Sequence, residues 1–171
     1  QGKIIYWGTS VWEPEQIEQA VKAAKVYNTY APIVEQPRYN MLDRHIESEI
    51  MPLCKRRGMG LTVWSPLAEG VLTGKYNEGV APGTRGAGSE WMKSDLSPAN
   101  NAKVKKLSAL AQSLEITMSQ LALAWILRKE EISCAIVGAT KEEQLKENLA
   151  ASDIKLSGET EAKIELILTG D

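Results

Sequence analysis

Four short runs of β-branched or apolar residues punctuate the chain, each ending in small or polar residues. They are Ile4-Ile5-Tyr6-Trp7-Gly8, Ile33-Val34-Glu35-Gln36, Leu61-Thr62-Val63-Trp64-Ser65 and Cys134-Ala135-Ile136-Val137-Gly138. Each leads into a segment whose apolar positions recur with helical period. After the first run, Ile17, Ala20, Val21 and Ala24 fall at i, i+3, i+4 and i+7. Pro14 suits the first turn of that helix, where its missing N–H is no loss. After the second, Ile46, Ile50, Leu53 and Cys54 continue the pattern up to Gly58, and Pro52 predicts a kink or a late start. The third is followed by a stretch rich in Gly and Pro and then by Val104, Leu107, Leu110 and Ala111 at helical spacing. Gln120 to Lys129 is apolar nearly all round, which predicts a buried helix. The fourth leads into a helix from Lys141 to Ala150, and a last amphipathic helix carries Ile164, Ile167 and Leu168.

Alternation of strand and helix predicts parallel strands joined by right-handed crossovers. Continuous apolar strands predict helical cover on both faces. The pattern is therefore (βα)4. A barrel closes at eight strands, so four units of one leave two unpaired edges and a concave face. A small doubly wound sheet covers both faces instead. The pattern fits either. The sequence starts about two residues before its first strand, which reads as the interior of a longer fold.

The length of 171 residues predicts a single domain spanning 1–171. With 43% apolar and 25% charged residues, the composition is that of a soluble globular protein. A formal charge of −2 gives no electrostatic reason to expect nucleic acid or an anionic membrane surface. No apolar run approaches the ~20 residues of a membrane-spanning helix. Cys54 and Cys134 form no CxxC motif, so both are expected as buried thiols in a reducing, cytoplasmic compartment. His45 is the only histidine, which excludes a multi-histidine metal site.

In both architectures ligands bind beyond the carboxyl ends of the strands, so those ends are where chemistry is sought. The first end offers Ser10, either a helix cap or a ligand contact. The second offers Gln36, whose amide both donates and accepts. Trp64, at the third, is either core or a stacking platform for a planar ring. The long loop after it carries Lys75 and Arg85, cations that a phosphate would need, although such loops are often merely solvated. Thr140 to Glu143 reads as a T-x-x-E capping box, and a helix N-terminus also offers free amides to an anion. Gln144, Glu147 and Asn148 share one face of the helix that follows.

Together these segments resemble the aldo-keto reductase superfamily, most of all the branch containing the β subunits of voltage-gated potassium channels and their bacterial relatives. The likeness rests on Tyr6-Trp7-Gly8-Thr9-Ser10, Glu35-Gln36-Pro37-Arg38-Tyr39-Asn40, Trp64-Ser65-Pro66-Leu67-Ala68-Glu69-Gly70 and Gly74-Lys75-Tyr76. It continues through Leu121-Ala122-Leu123-Ala124-Trp125 and Gly138-Ala139-Thr140 with Gln144 and Glu147-Asn148. The resemblance implies the C-terminal half of a TIM (βα)8 barrel, strands five to eight, and an oxidoreductase cofactor, NADPH (NADP+). It implies that Ser10 and Gln36 hold the nicotinamide carboxamide and that Trp64 lies beside the nicotinamide ring. Ser65, Pro66, Leu67, Ala68 and Gly70 would line the pyrophosphate, and Lys75 and Arg85 the loop that closes over the phosphates. Gly138, Thr140, Gln144, Glu147 and Asn148 would surround the adenosine end.

Three departures qualify the likeness. Many reductases carry Lys and Arg where Gly138 and Gln144 stand here, and a basic or small residue is usual where Val11 follows the serine. The family's catalytic Tyr, Lys and Asp belong to the first four units, which nothing here resembles. None of the phenols Tyr6, Tyr27, Tyr30, Tyr39 and Tyr76 sits in that catalytic context, and a phenol without such neighbours keeps a pKa near ~10. No catalytic residue is assigned. The expected partners are an N-terminal half-barrel or a second copy of the chain, together with a small carbonyl substrate. A channel-type membrane partner is a further reading, in which the chain acts as a redox sensor.

Overall fold

The structure is a computed structural model and describes residues 3–80 and 92–170. Helix α1 (Pro14–Val26) leads to strand β1 (Val34–Glu35), and a 3-10 turn at His45–Glu47 precedes α2 (Ile50–Arg57). Strand β2 (Gly60–Val63) runs into a 3-10 segment, Ala68–Thr73. Helices α3 (Pro98–Ser113) and α4 (Met118–Leu127) separate it from β3 (Ile132–Ala135), after which come α5 (Glu142–Ala150) and α6 (Gly158–Thr169). The late start foreseen at Pro52 is observed, and Gly58 closes α2 in the left-handed conformation that glycine adopts without penalty. Every residue of helix α4 from Met118 to Ile126 except the half-buried Gln120 is buried, as its composition predicted.

The sheet is parallel in the order β1-β2-β3. The first run, expected as a strand, forms only a single bridge between Thr9 and Glu35. The Thr9 amide donates to the Val34 carbonyl and the Ile33 amide to the Trp7 carbonyl. Ile4, Ile5 and Tyr6 are each more than two-thirds exposed. An edge with a partner on one side only loses its ladder first.

The expectation of cover on both faces also fails. Leu61 and Val63 are fully buried on the face packed by α2 and α4. The opposite face, carrying Thr62 and Cys134, is open. A register shift explains why Cys134 is exposed rather than buried. Leu61 faces Ile132 but Thr62 faces Cys134, so Ser133 is an extra residue that flips the alternation of β3. Cys54 is buried as expected, and burial, aided by the nearby Glu35 carboxylate, pushes its thiol up to about 11.

A polar network ties α6 and α4 to the segment after β1. Tyr39 and Trp125, both fully buried, stack at 5.4 Å between ring centroids. The Arg128 guanidinium lies 3.9 Å and that of Arg44 5.3 Å from the Trp125 ring. Arg44 also binds Glu47 at 2.8 Å and Glu165 at 2.6 Å, and the Tyr39 hydroxyl donates to Glu47 at 2.6 Å. Partial burial alone would raise the Glu47 carboxyl. Hydrogen bonds from Arg44 and Tyr39 outweigh it and hold the group below its ordinary value. A carboxylate depressed in the folded state stabilises it above the unfolded value of about 4.3 and loses that contribution as pH falls through the folded value. Urea midpoints measured between about pH 6 and pH 3 should therefore fall for the native chain. They should fall less steeply for Glu47→Gln, and parallel curves would refute the assignment.

Candidate functional site

Side chains alternate across a strand, and that alternation sorts the strand ends. Thr9, Glu35, Leu61 and Val63 point to the buried face. Ser10, Gln36 and Trp64, one position further along, therefore fall on the open face. The Ser10 hydroxyl donates to the Gln36 carbonyl at 2.9 Å, and the Gln36 amide to the Thr9 carbonyl at 2.9 Å. Ser10 does not cap α1, whose N-terminus is closed by a box between Glu13 and Gln16. Trp64 is half-buried, with the Arg38 guanidinium 5.9 Å from its ring centroid. Arg38 is itself held by Asp95 and, at 3.6 Å, by Asp43.

Beyond β2 the chain makes a turn of left-handed residues. Ser65, Ala68 and Glu69 have φ of 49°, 46° and 54°, and Gly70 has 102°. Left-handed conformations cost non-glycine residues of order 1–3 kcal/mol each, and they cluster at ligand clamps. Two side-chain hydrogen bonds help pin the turn: Asn40 Nδ2 donates to the Ser65 carbonyl at 3.0 Å, and the Thr73 hydroxyl to the Gly70 carbonyl at 2.8 Å. The exposed Lys75 ammonium crosses Gly70 so closely that a Cβ there would lie 2.8 Å from Nζ. Pro66 and Ala68 are buried and support the turn from beneath.

Between this turn and the start of α5 lies a cavity of about 710 Å³. Its walls include Leu67, Gly70 and Lys75 from one side and Gly138, Thr140, Gln144, Glu147 and Asn148 from the other. Ser10, Gln36, Trp64, Ser65, Pro66 and Ala68 are not among its walls, and Arg85 lies outside the described residues. The capping box expected at Thr140 does not form, because Gln144 Oε1 accepts both the Thr140 amide at 3.0 Å and its hydroxyl at 3.3 Å. Lys141 is the N-cap and makes no side-chain cap. Glu147 accepts the Thr117 hydroxyl at 2.7 Å, which moors α5 to the start of α4.

The walls also contain Glu69, Thr73, Ser119 and Ala139, which sequence reasoning had not assigned. Glu69, Thr73 and Ala139 interleave with assigned positions. Ser119 had one signal, a hydroxyl near the start of an otherwise apolar helix. The cavity thus joins one lysine, two carboxylates and several neutral donors, drawn from segments roughly seventy residues apart in the chain.

A family model for the aldo/keto reductase family matches residues 1–168. The chain belongs to that family. Among similar proteins, a probable voltage-gated potassium channel subunit beta of Arabidopsis thaliana is 45% identical over 162 residues, covering 90% of this chain and 48% of the relative. A putative voltage-gated potassium channel subunit beta of Schizosaccharomyces pombe is 42% identical over 175 residues, covering 98% and 51%. A probable voltage-gated potassium channel subunit beta of Oryza sativa subsp. japonica is 42% identical over 174 residues, covering 98% and 53%. The chain spans about half the length of the curated relatives it matches. For an aldo/keto reductase the parallel sheet and its crossover helices are consistent with a piece of a TIM barrel. Among the described residues no single helix is long and apolar enough to cross a membrane.

Proposed function

We propose that this chain is the nucleotide-holding half of an NADPH-dependent aldo-keto reductase, corresponding to the fifth to eighth βα units of the barrel. In this reading an N-terminal half supplies the catalytic Tyr, Lys and Asp. The observation that carries it is the cavity, where Leu67, Gly70 and Lys75 of the phosphate side and all five residues assigned to the adenosine end line one space although they come from distant segments. The chemistry of the walls fits the group. The Lys75 ammonium complements a phosphate, and the side chains of Thr140, Gln144 and Asn148 can hydrogen-bond ribose or base. Gly138 leaves the floor open. Ser10 and Gln36 would orient the carboxamide and Trp64 would flank the ring.

When bound, the dinucleotide supplies a hydride for an aldehyde or ketone. The chain's own contribution is to hold it extended and to aim the nicotinamide. NADPH titration followed by tryptophan fluorescence tests this. Saturable quenching is expected, and Trp64→Ala should remove much of it. No saturable response in the full-length protein would refute the reading.

The names of the relatives support a second reading, in which the cofactor-loaded chain biases a channel-type membrane partner. It requires a partner that co-purifies only when NADPH is present. Cover for the open sheet face is assigned to the N-terminal half, because the relatives extend to about twice this length. A stable dimer of the chain alone by light scattering would assign it to a second copy instead. The cytoplasm is the compartment that this cofactor and the free thiols favour.

A further inference from the structure

Glu35 is fully buried, and among the described residues no cation pairs with it. A buried carboxylate without a counter-ion is costly unless hydrogen bonds hold it. Those bonds come from both sides of one short turn. The Thr9 hydroxyl donates to Oε2, and the Trp12 backbone amide donates to Oε1 at 3.3 Å. Between these residues sit Ser10 and Val11, and Val11 has a φ of 56°. A left-handed conformation is a severe exception for a β-branched residue, and it persists only where the surroundings over-determine it.

The Glu35 side chain bridges this turn from residue 9 to residue 12. On the other side of the peptide chain, Gln36 follows Glu35 directly. Its amide and carbonyl bond Thr9 and Ser10 respectively. Those bonds engage the main chain of Gln36, and the Glu35 side chain adds to them by holding the turn that carries Ser10 against the strand that carries Gln36.

We propose that Glu35 is a positioning residue that staples the strained Thr9–Trp12 turn and so pre-sets Ser10 and Gln36 as a pair for the nicotinamide carboxamide. It touches no part of the cofactor itself. The proposal rests on the reading of Ser10 and Gln36 given under the proposed function.

The test compares two ligands in whichever form binds the cofactor, the chain alone or the chain joined to its N-terminal half. One is NADP+. The other is 2′-phospho-ADP-ribose, which keeps the adenosine and pyrophosphate but lacks the nicotinamide. In Glu35→Gln the side-chain volume is retained, but one of the two acceptor oxygens becomes a donor facing a donor. NADP+ affinity should fall about tenfold, the scale of one lost hydrogen bond, with the affinity for 2′-phospho-ADP-ribose unchanged.

Val11→Gly in the Glu35→Gln background relieves the strain that the carboxylate restrains. It should recover most of the lost NADP+ affinity. Equal losses for both ligands, or no loss for either, would overturn the proposal. So would failure of Val11→Gly to recover affinity in a protein that still binds 2′-phospho-ADP-ribose. If the unaltered protein binds neither ligand, the cofactor reading itself falls, and that result is distinct from every outcome above.

Discussion

Gly138→Trp should abolish cofactor binding and leave the fold untouched. A Cβ at Gly138 meets nothing within 4 Å, and its backbone lies outside the left-handed region, so the protein tolerates a side chain there. The same open space is part of the cavity wall. An indole projecting into it displaces the ligand rather than a neighbouring residue. The expected result is a loss of NADPH affinity of at least a hundredfold, about 2.7 kcal/mol, with urea midpoint and circular dichroism unchanged. Gly138→Ala should cost far less. A tryptophan variant that binds NADPH normally would show that the ligand does not use this cavity.

The largest expected loss of stability is in Trp125→Ala. This ring is fully buried, stacked on Tyr39, and flanked by the guanidinium groups of Arg128 and Arg44. Deleting a buried tryptophan side chain typically costs about 3–5 kcal/mol, through lost burial and the cavity left behind. Two arginines would also lose their aromatic partner, and Tyr39 its stack. Trp125→Phe keeps a ring and discards an indole N–H that has no hydrogen-bond partner among the described residues. It should cost less than half as much. Denaturant unfolding measures both, and equal midpoints for the two variants would show that the ring contributes nothing particular.

The helices were legible because their signals are local. Pro14, Pro52 and Gly58 act through their own backbone restrictions, and the unbroken apolar run of α4 predicts burial whatever surrounds it. Strand assignments failed where neighbours decide the outcome. Ile4 to Tyr6 have strand propensity, yet only Trp7 to Thr9 reach β1. Cys134 reads as a buried thiol until the extra residue Ser133 turns it outward, and a register shift leaves no mark in sequence.

The site divides along the same line. Gly138 and Thr140 are legible as small or polar residues after an apolar run, Lys75 as a cation in a loop, and Gly70 only through the family resemblance. Ser119 reaches the cavity only because α4 packs beside α5. In the sequence Glu35 is no more than a polar residue near the end of an apolar run. Its bonds to Thr9 and Trp12 span 26 and 23 residues of chain, and no local pattern encodes them.

Helix α5 buries none of its own residues, and Leu145 and Leu149 stand 45% and 62% exposed. It nevertheless contributes Gln144, Glu147 and Asn148 to the cavity wall. An element held mainly by the bonds of Thr117 and Gln120 to Glu147 opens by itself more often than the domain unfolds. In the isolated chain, ligand escape would then be gated by the detachment of nine residues rather than by the width of a fixed mouth. Residence time would follow the security of that one helix, and whatever seats Leu145 and Leu149 would slow release without touching the nucleotide.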